Sequence, residues 1–314
     1  MAIYTGSNKH LGGTETVARK ETFFYGLVQK NVLITGANGQ LGQELKQLSE
    51  KMNTPFRFIF TDYDVLDITD LAQVQHFVTE NSIEYIINCA AYTAVDKAET
   101  DEETAYKVNS LGVENLAKSD AKIIHISTDY VFDGTATEPY QENAPTNPLS
   151  VYGKSKLKGE EAIQEFAKEW IIIRTSWLYS EFGNNFVKTM LRLMNEREEL
   201  NIVADQCGTP TYAADLAEMI LLMLEADEWK LGIYHFSNLG ETTWFGFTEK
   251  IKELAAIEGC RLNPIPTSEY KTAASRPMYS VLDKSKIQSA YGVVIPQWEE
   301  ALERCLGKLL ISND

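Results

Sequence analysis

Three features of the chain predict an α/β fold built on a parallel sheet with helices on both faces. Short apolar runs alternate with amphipathic helical stretches from Asn31 onward, a β-α alternation that calls for parallel strands. A glycine turn, Gly36-Ala37-Asn38-Gly39-Gln40-Leu41-Gly42, follows the first run at once. The pattern becomes more broken after about residue 176, without a repeat or a low-complexity linker. Together these predict a Rossmann-like doubly wound parallel sheet with a smaller C-terminal lobe interleaved with it.

Val32-Leu33-Ile34-Thr35 reads as the first buried strand, and Leu41, Leu45 and Leu48 recur at helical spacing through about Ser49. The turn between them opens a helix N-terminus, whose unpaired N–H groups and positive dipole end suit an anion, and glycines let the backbone approach it closely. A dinucleotide pyrophosphate fits, although the spacing is G-x-x-G-x-x-G and differs from the G-x-G-x-x-G fingerprint. Phe56–Phe60 is the second strand, leading into Thr61-Asp62. An acid there would accept hydrogen bonds from an adenosine ribose and points toward NADH. Asp62, Asp64 and Asp67 share one loop, so a merely solvated loop remains the alternative.

A helix over 71–80 leads to Tyr85-Ile86-Ile87-Asn88-Cys89-Ala90-Ala91, a third buried strand whose small residues would lie beside a cofactor. A helix over 102–119 precedes the fourth strand, Lys122–Ser127, and Thr128 and Asp129 follow it. Ligands of doubly wound sheets lie at the carboxyl ends of strands, which assigns both residues to the site. The loop 133–148 then reaches a helix carrying Tyr152, and Trp170–Trp177 supplies a fifth strand. Further on, helices are expected near 185–196, 213–225 and 245–257, and short strands near 202–204 and 233–236. Prolines 264, 266, 277 and 296 then punctuate loops.

Composition excludes several classes. The chain has 314 residues, with 44% hydrophobic and 24% charged, as expected of a globular protein. Its net charge of -16 argues against nucleic acid and anionic membrane surfaces as partners. Four scattered cysteines without a Cys-x-x-Cys pair indicate free thiols in a reducing compartment. Four dispersed histidines give no metal motif, so no metal site is expected. Residues 1–30 read as an N-terminal extension, either disordered or docked through Phe23-Phe24-Tyr25. They carry no signal-peptide or membrane-anchor pattern, and a cytoplasmic location is expected.

Tyr152-Gly153-Lys154-Ser155-Lys156 sets a phenol and an ammonium on one helix face. A Tyr titrates near ~10 and works poorly as a proton donor or acceptor at neutrality unless a cation stabilises its phenolate. Lys156 is expected to be that cation. Alone the spacing is a weak signal, common on amphipathic helices. Thr128 would add a second hydrogen bond to a reacting carbonyl oxygen. The alternative for Thr128 is a local backbone bond, and for Asp129 a turn or cap.

The glycine turn, Ser127-Thr128-Asp129-Tyr130-Val131-Phe132-Asp133-Gly134 and the Tyr152/Lys156 pair together resemble the extended short-chain dehydrogenase/reductase superfamily. Within it, Ala91-Tyr92-Thr93-Ala94-Val95-Asp96-Lys97-Ala98-Glu99, Arg174-Thr175-Ser176-Trp177, Asp205-Gln206-Cys207-Gly208-Thr209-Pro210-Thr211 and Arg276-Pro277 resemble the dTDP-4-dehydrorhamnose reductase family. The resemblance runs from residue 31 to the C-terminus. It implies a dinucleotide-binding domain over 31–175, with return segments near 199–226, and a mainly substrate-binding lobe over 176–314. It also implies NADPH- or NADH-dependent reduction of dTDP-4-dehydro-β-L-rhamnose, a small-molecule nucleotide sugar, with a homodimer left open.

The residues it implies are Thr128, Tyr152 and Lys156 for catalysis, Lys156 also holding the nicotinamide ribose. Gly36, Asn38, Gly39, Gln40, Leu41, Gly42, Asp62, Asp67, Ile68, Ala90 and Ala91 would join Tyr152 and Lys156 around the cofactor. Thr93, Val95, Asp129, Tyr130, Trp177, Gln206, Thr211 and Arg276 would meet the substrate, Arg276 as a bidentate partner for the diphosphate. Two other outcomes share the resemblance. One is a nucleotide-sugar epimerase or dehydratase, which would retain its nicotinamide on desalting. The other is a non-catalytic NADP-binding subunit like the methionine adenosyltransferase β-subunit, against which the presence of Thr128, Tyr152 and Lys156 speaks.

Overall fold

The structure, a computed structural model, describes residues 29–311; the expected N-terminal extension lies, but for its last two residues, outside them. The first half runs β1 (Lys30–Thr35), α1 (Gln40–Ser49), β2 (Phe56–Phe60), α2 (Leu71–Glu80), β3 (Ile83–Asn88), α3 (Val95–Ala98), α4 (Glu102–Tyr106), α5 (Val113–Ala117), β4 (Lys122–Thr128), α6 (Val151–Phe166) and β5 (Trp170–Thr175). Then follow β6 (Leu178–Tyr179), α7 (Phe186–Glu196), β7 (Glu199–Val203), β8 (Cys207–Gly208), β9 (Thr211–Tyr212) and α8 (Ala213–Glu225). The chain closes with β10 (Gly232–His235), β11 (Thr242–Thr243), α9 (Trp244–Leu254), β12 (Arg261–Ile265), α10 (Ser285–Tyr291) and α11 (Trp298–Ile311).

Six strands form one sheet in the order β10-β5-β4-β3-β1-β2, every neighbouring pair parallel. The order reverses at β1: the chain steps outward to β2, then crosses back to β3 on the other side. Successive residues of a strand face opposite sides, and both sides are apolar here. Val32, Ile34, Ile87, Ile124 and Ile171 pack with Leu41 and Leu45 of α1 and Leu216, Ile220 and Leu224 of α8. Leu33, Ile86, Ile123 and Ile172 pack on the opposite face with Val74 of α2, Leu116 of α5 and Ile163 of α6. This double burial is why these strands read as continuous apolar runs.

A separate core joins α7, β7, α9 and α11 through Met190, Leu200, Phe247 and Leu302. The segment 199–226 divides between the two cores. Residues 199–203 pair with β12 in the smaller core, because Leu200 and Ile202 face α7 and α9. The α8 helix and then β10 return to the main sheet, β10 beside β5. Among the described residues, no helix is long and apolar enough to cross a membrane, and no group of three or more metal-ligating side chains occurs.

One ionic cluster ties β4, β5 and α6 together. The Arg174 guanidinium donates to both carboxylate oxygens of Glu160, at 2.9 and 2.7 Å, and Ser127 donates to the same carboxylate. Arg174 and Glu160 are 3% and 0% exposed, so removing one partner strands the other in an apolar interior. Arg174→Met is expected to lower the unfolding free energy by about 3–5 kcal/mol, measured by urea titration. Replacing both partners with apolar residues should cost much less.

Candidate active site

Cofactor-sized space opens where the sheet order reverses. A cleft of 750 Å³ lies at the C-terminal ends of β1, β2 and β3, lined by Thr35, Thr61 and Cys89 at those ends. Gly36, Gly39, Gln40, Leu41, Gly42, Asp62, Asp67, Ile68, Ala90 and Ala91 also line it. The backbone leaves no room for side chains at two of the glycines. Gly36 has φ +65°, and a Cβ there would stand 2.7 Å from the Ala90 nitrogen. A Cβ on Gly42 would stand 2.5 Å from the Gly36 carbonyl oxygen.

Gly39 caps α1 with no side-chain hydrogen bond, so the first N–H groups of the helix are left for a ligand anion. The cradle fits a dinucleotide diphosphate on its own geometry. Asn38 supports it from behind, its backbone N–H donating to Asp62 Oδ2 at 2.9 Å. The other Asp62 oxygen accepts from Tyr63 N–H at 2.8 Å, so this carboxylate anchors the turn as well as facing the cleft.

A second cleft of 330 Å³ continues from the first, sharing Gln40, Leu41, Cys89, Ala91 and Thr93 with it. It brings together Thr128, Asp129, Tyr130, Tyr152, Lys156, Trp177 and Val95. Thr128 ends β4, while Tyr152 and Lys156 stand in the first turns of α6, which Ser150 caps by accepting from Gly153 N–H at 3.1 Å. Gly153 is required there, since a Cβ would meet the Tyr130 carbonyl oxygen at 2.3 Å. The Tyr130 and Tyr152 rings pack edge to face, 5.5 Å apart.

Lys156 Nζ donates to the Ile126 carbonyl at 2.7 Å and stands 3.5 Å from His125 Nε2. Burial pulls the Lys156 ammonium down to about 8, against smaller opposite effects of Glu160 and Cys89. Burial, with a contribution from Asp129, pushes the Tyr152 phenol up to about 12, the Thr128 hydroxyl pulling the other way. The net direction at Tyr152 is therefore upward, burial outweighing the lowering expected from Lys156. With both groups withdrawn from water, the phenol is held protonated, as a proton donor must be.

Trp177 is at the cleft but not in a strand, since β5 stops at Thr175. Its φ of +47° is a strained conformation for a bulky residue. The ring is fixed by stacking on Trp244 at 3.6 Å, and a Cβ on Gly208 would lie 2.7 Å from it. Three expected substrate residues are not among those lining the cleft. Gln206 is buried, accepting from Trp244 Nε1 and donating to Thr267 Oγ1, both at 3.1 Å. Thr211 is fully buried and accepts from Thr175 Oγ1 at 3.2 Å. Arg276 holds both Asp96 oxygens, at 3.1 and 2.6 Å. That carboxylate occupies the bidentate geometry expected for a diphosphate.

Several contributors escaped sequence reasoning. The expected helix over 102–119 is interrupted by a wide π turn, Lys107–Gly112. Its Asn109 accepts from Tyr92 N–H at 2.8 Å and donates to the Tyr92 carbonyl and to Ser155 Oγ, each at 3.0 Å. Asn109 thereby fastens the Tyr92 loop to the helix carrying Tyr152. Asn185 donates to Gln40 Oε1 at 3.0 Å and ties the 180–185 loop to the glycine turn. Neither residue belongs to a short motif, so only the π turn and the loop path reveal them.

A glycine cradle at the reversal of a parallel sheet, joined to a Thr and a Tyr-x-x-x-Lys pair at the strand ends, defines an extended short-chain dehydrogenase/reductase architecture. The family model for the RmlD substrate binding domain matches residues 30–311, and the chain belongs to that family. It is 42% identical over 285 residues to the dTDP-4-dehydrorhamnose reductase of Aggregatibacter actinomycetemcomitans, covering 87% of this chain and 97% of that protein. A crystal structure of the dTDP-4-dehydrorhamnose reductase of Clostridium acetobutylicum superposes with a TM-score of 0.85 at 41% identity, covering 89% of this chain and 99% of the other. That of Bacillus anthracis, solved in complex with NADP, gives a TM-score of 0.84 at 44% identity over the same shares.

Proposed function

We propose that this protein reduces dTDP-4-dehydro-β-L-rhamnose to dTDP-β-L-rhamnose with NADPH or NADH, in the cytoplasm, as a step of nucleotide-sugar supply. The single observation that carries the reading is the junction of the two clefts, where a dinucleotide cradle meets a buried, protonated Tyr152 beside Thr128 and Lys156. A reduced nicotinamide, when bound, supplies the hydride. The work of the chain is then to move one proton and to stabilise charge developing on the carbonyl oxygen. Tyr152 donates the proton, Lys156 provides the positive field that eases its departure, and Thr128 hydrogen-bonds the same oxygen. The dinucleotide-binding portion comprises residues 31–175 with α8 and β10, and the remainder of 176–311 forms the sugar-binding lobe.

Trp177, Tyr130, Asp129, Thr93 and Val95 shape the sugar end of the smaller cleft. Arg276 is the diphosphate partner once it exchanges Asp96 for the substrate. Initial rates of NADPH and NADH oxidation by the purified full-length protein, with dTDP-, UDP- and GDP-linked 4-keto sugars, test the reading. Turnover is expected with the dTDP sugar at a rate at least about tenfold above the others, the low end of what one methylene-sized difference in a pocket discriminates. Absence of oxidation with either cofactor would refute it.

A further inference from the structure

Thr128 has one hydroxyl proton and two claims on it. In the structure that proton is already committed: Thr128 Oγ1 donates to Asp129 Oδ1 at 3.0 Å, while accepting from Tyr130 N–H at 3.2 Å. A hydroxyl donates once. As long as Asp129 is a carboxylate, it can only accept, and Thr128 has nothing left to donate to a reacting oxygen. Asp129 is 1% exposed, lines the smaller cleft, and its Oδ2 has no hydrogen-bond partner among the described residues. Such a buried, half-satisfied carboxyl is costly as an anion and is easily protonated.

We propose that Asp129 is a positioning residue that sets the direction of the Thr128 hydroxyl proton, withholding it as a carboxylate and releasing it toward the reacting oxygen as a carboxylic acid. Asp129 takes up one proton from solvent before the substrate covers it. The acid O–H then donates to Thr128 Oγ1, and the hydroxyl proton of Thr128 turns into the cleft. No covalent bond of the substrate changes in this step; hydride and the Tyr152 proton still complete the reduction.

The surroundings agree with such a switch. Thr128 and Tyr130 flank Asp129 in its own turn, Tyr152 faces it from α6, and Ser280 approaches from the C-terminal segment without reaching hydrogen-bond geometry at Oδ2. None of these carries a charge near neutrality. Arg276 and Asp96, which act on Tyr130, are paired with each other. Burial accordingly pushes the Asp129 carboxyl up to about 6, with Ser280 and Thr128 holding it back.

The inference rests on the reductase reading, and the experiment separates the two. kcat/KM for the dTDP-4-keto sugar at saturating NADPH is measured on the full chain across the acid and neutral range. The wild type is expected to fall about tenfold, to a lower plateau, as pH rises through about 6, roughly the worth of one hydrogen bond to a charged group. Asp129→Asn presents an amide N–H to Thr128 at every pH and should show no step. Thr128→Ser should keep the step and Thr128→Val should lose it, so the assignment stays testable even if Asp129→Asn does not fold. A step that survives in Asp129→Asn or Thr128→Val, or is missing from an active wild type, overturns the switch. A wild type without turnover at any pH overturns the reductase reading instead.

Discussion

Tyr152→Phe is expected to lower kcat for keto-sugar reduction by about 10³-fold, within the range of a lost general acid, while cofactor affinity stays at the wild-type level. The substitution is nearly isosteric. The Tyr152 ring is 9% exposed and packs edge to face on Tyr130, and a Phe ring keeps that contact. What disappears is the phenol proton, carried by a group that burial pushes up to about 12. Stopped-flow turnover and NADPH fluorescence titration report the two quantities separately. Turnover unchanged by the loss of the hydroxyl would remove Tyr152 from the chemistry, and a parallel loss of cofactor affinity would make it a cofactor ligand first.

What could be read from the sequence follows how local each signal is. The strands of the main sheet announce themselves because they are buried on both faces, and β2, α2 and α8 occur with the expected limits. The glycine turn is legible because a Cβ at Gly36 or Gly42 would clash with backbone at 2.7 and 2.5 Å, which leaves glycine as the residue that fits. The C-terminal α10 and α11 were hidden among prolines. The stability of α11 comes from Ala301, Leu302, Cys305 and Leu306 packing into a core whose other members reach back to Tyr179, more than a hundred residues earlier.

Site residues divide in the same way. Thr128, Tyr152 and Trp177 are carried by strand ends and a capped helix, and they converge in the cleft. The places of Gln206, Thr211 and Arg276 depend on partners remote in sequence, namely Trp244, Thr175 and Asp96. No local pattern encodes such pairings. The direction of the Tyr152 and Lys156 shifts was also beyond sequence, because depth of burial outweighs the attraction that their spacing suggests.

Lys156 should set an alkaline limit on the reaction. Its ammonium is 2% exposed and drawn from 10.5 down to about 8 by burial, so the charged form that assists Tyr152 prevails below that pH and is lost above it. kcat/KM is expected to decline above pH about 8. Lys156→Met should cost about 10²–10³-fold, the scale of one lost charge-stabilising donor, and should be flat through the same range. Lys156→Arg stays charged throughout, so it too should lose the limb, whatever rate the bulkier group allows; a limb that persists in it belongs to another residue. Stability is expected to move the opposite way. A lysine that titrates lower folded than unfolded is penalised while charged, so its cost is complete below about 8 and vanishes above 10.5. Urea unfolding of the wild type relative to Lys156→Met should therefore improve as pH rises through that window while activity falls. A buried ammonium that destabilises the fold at the pH where it assists the reaction is retained for its charge, not for packing.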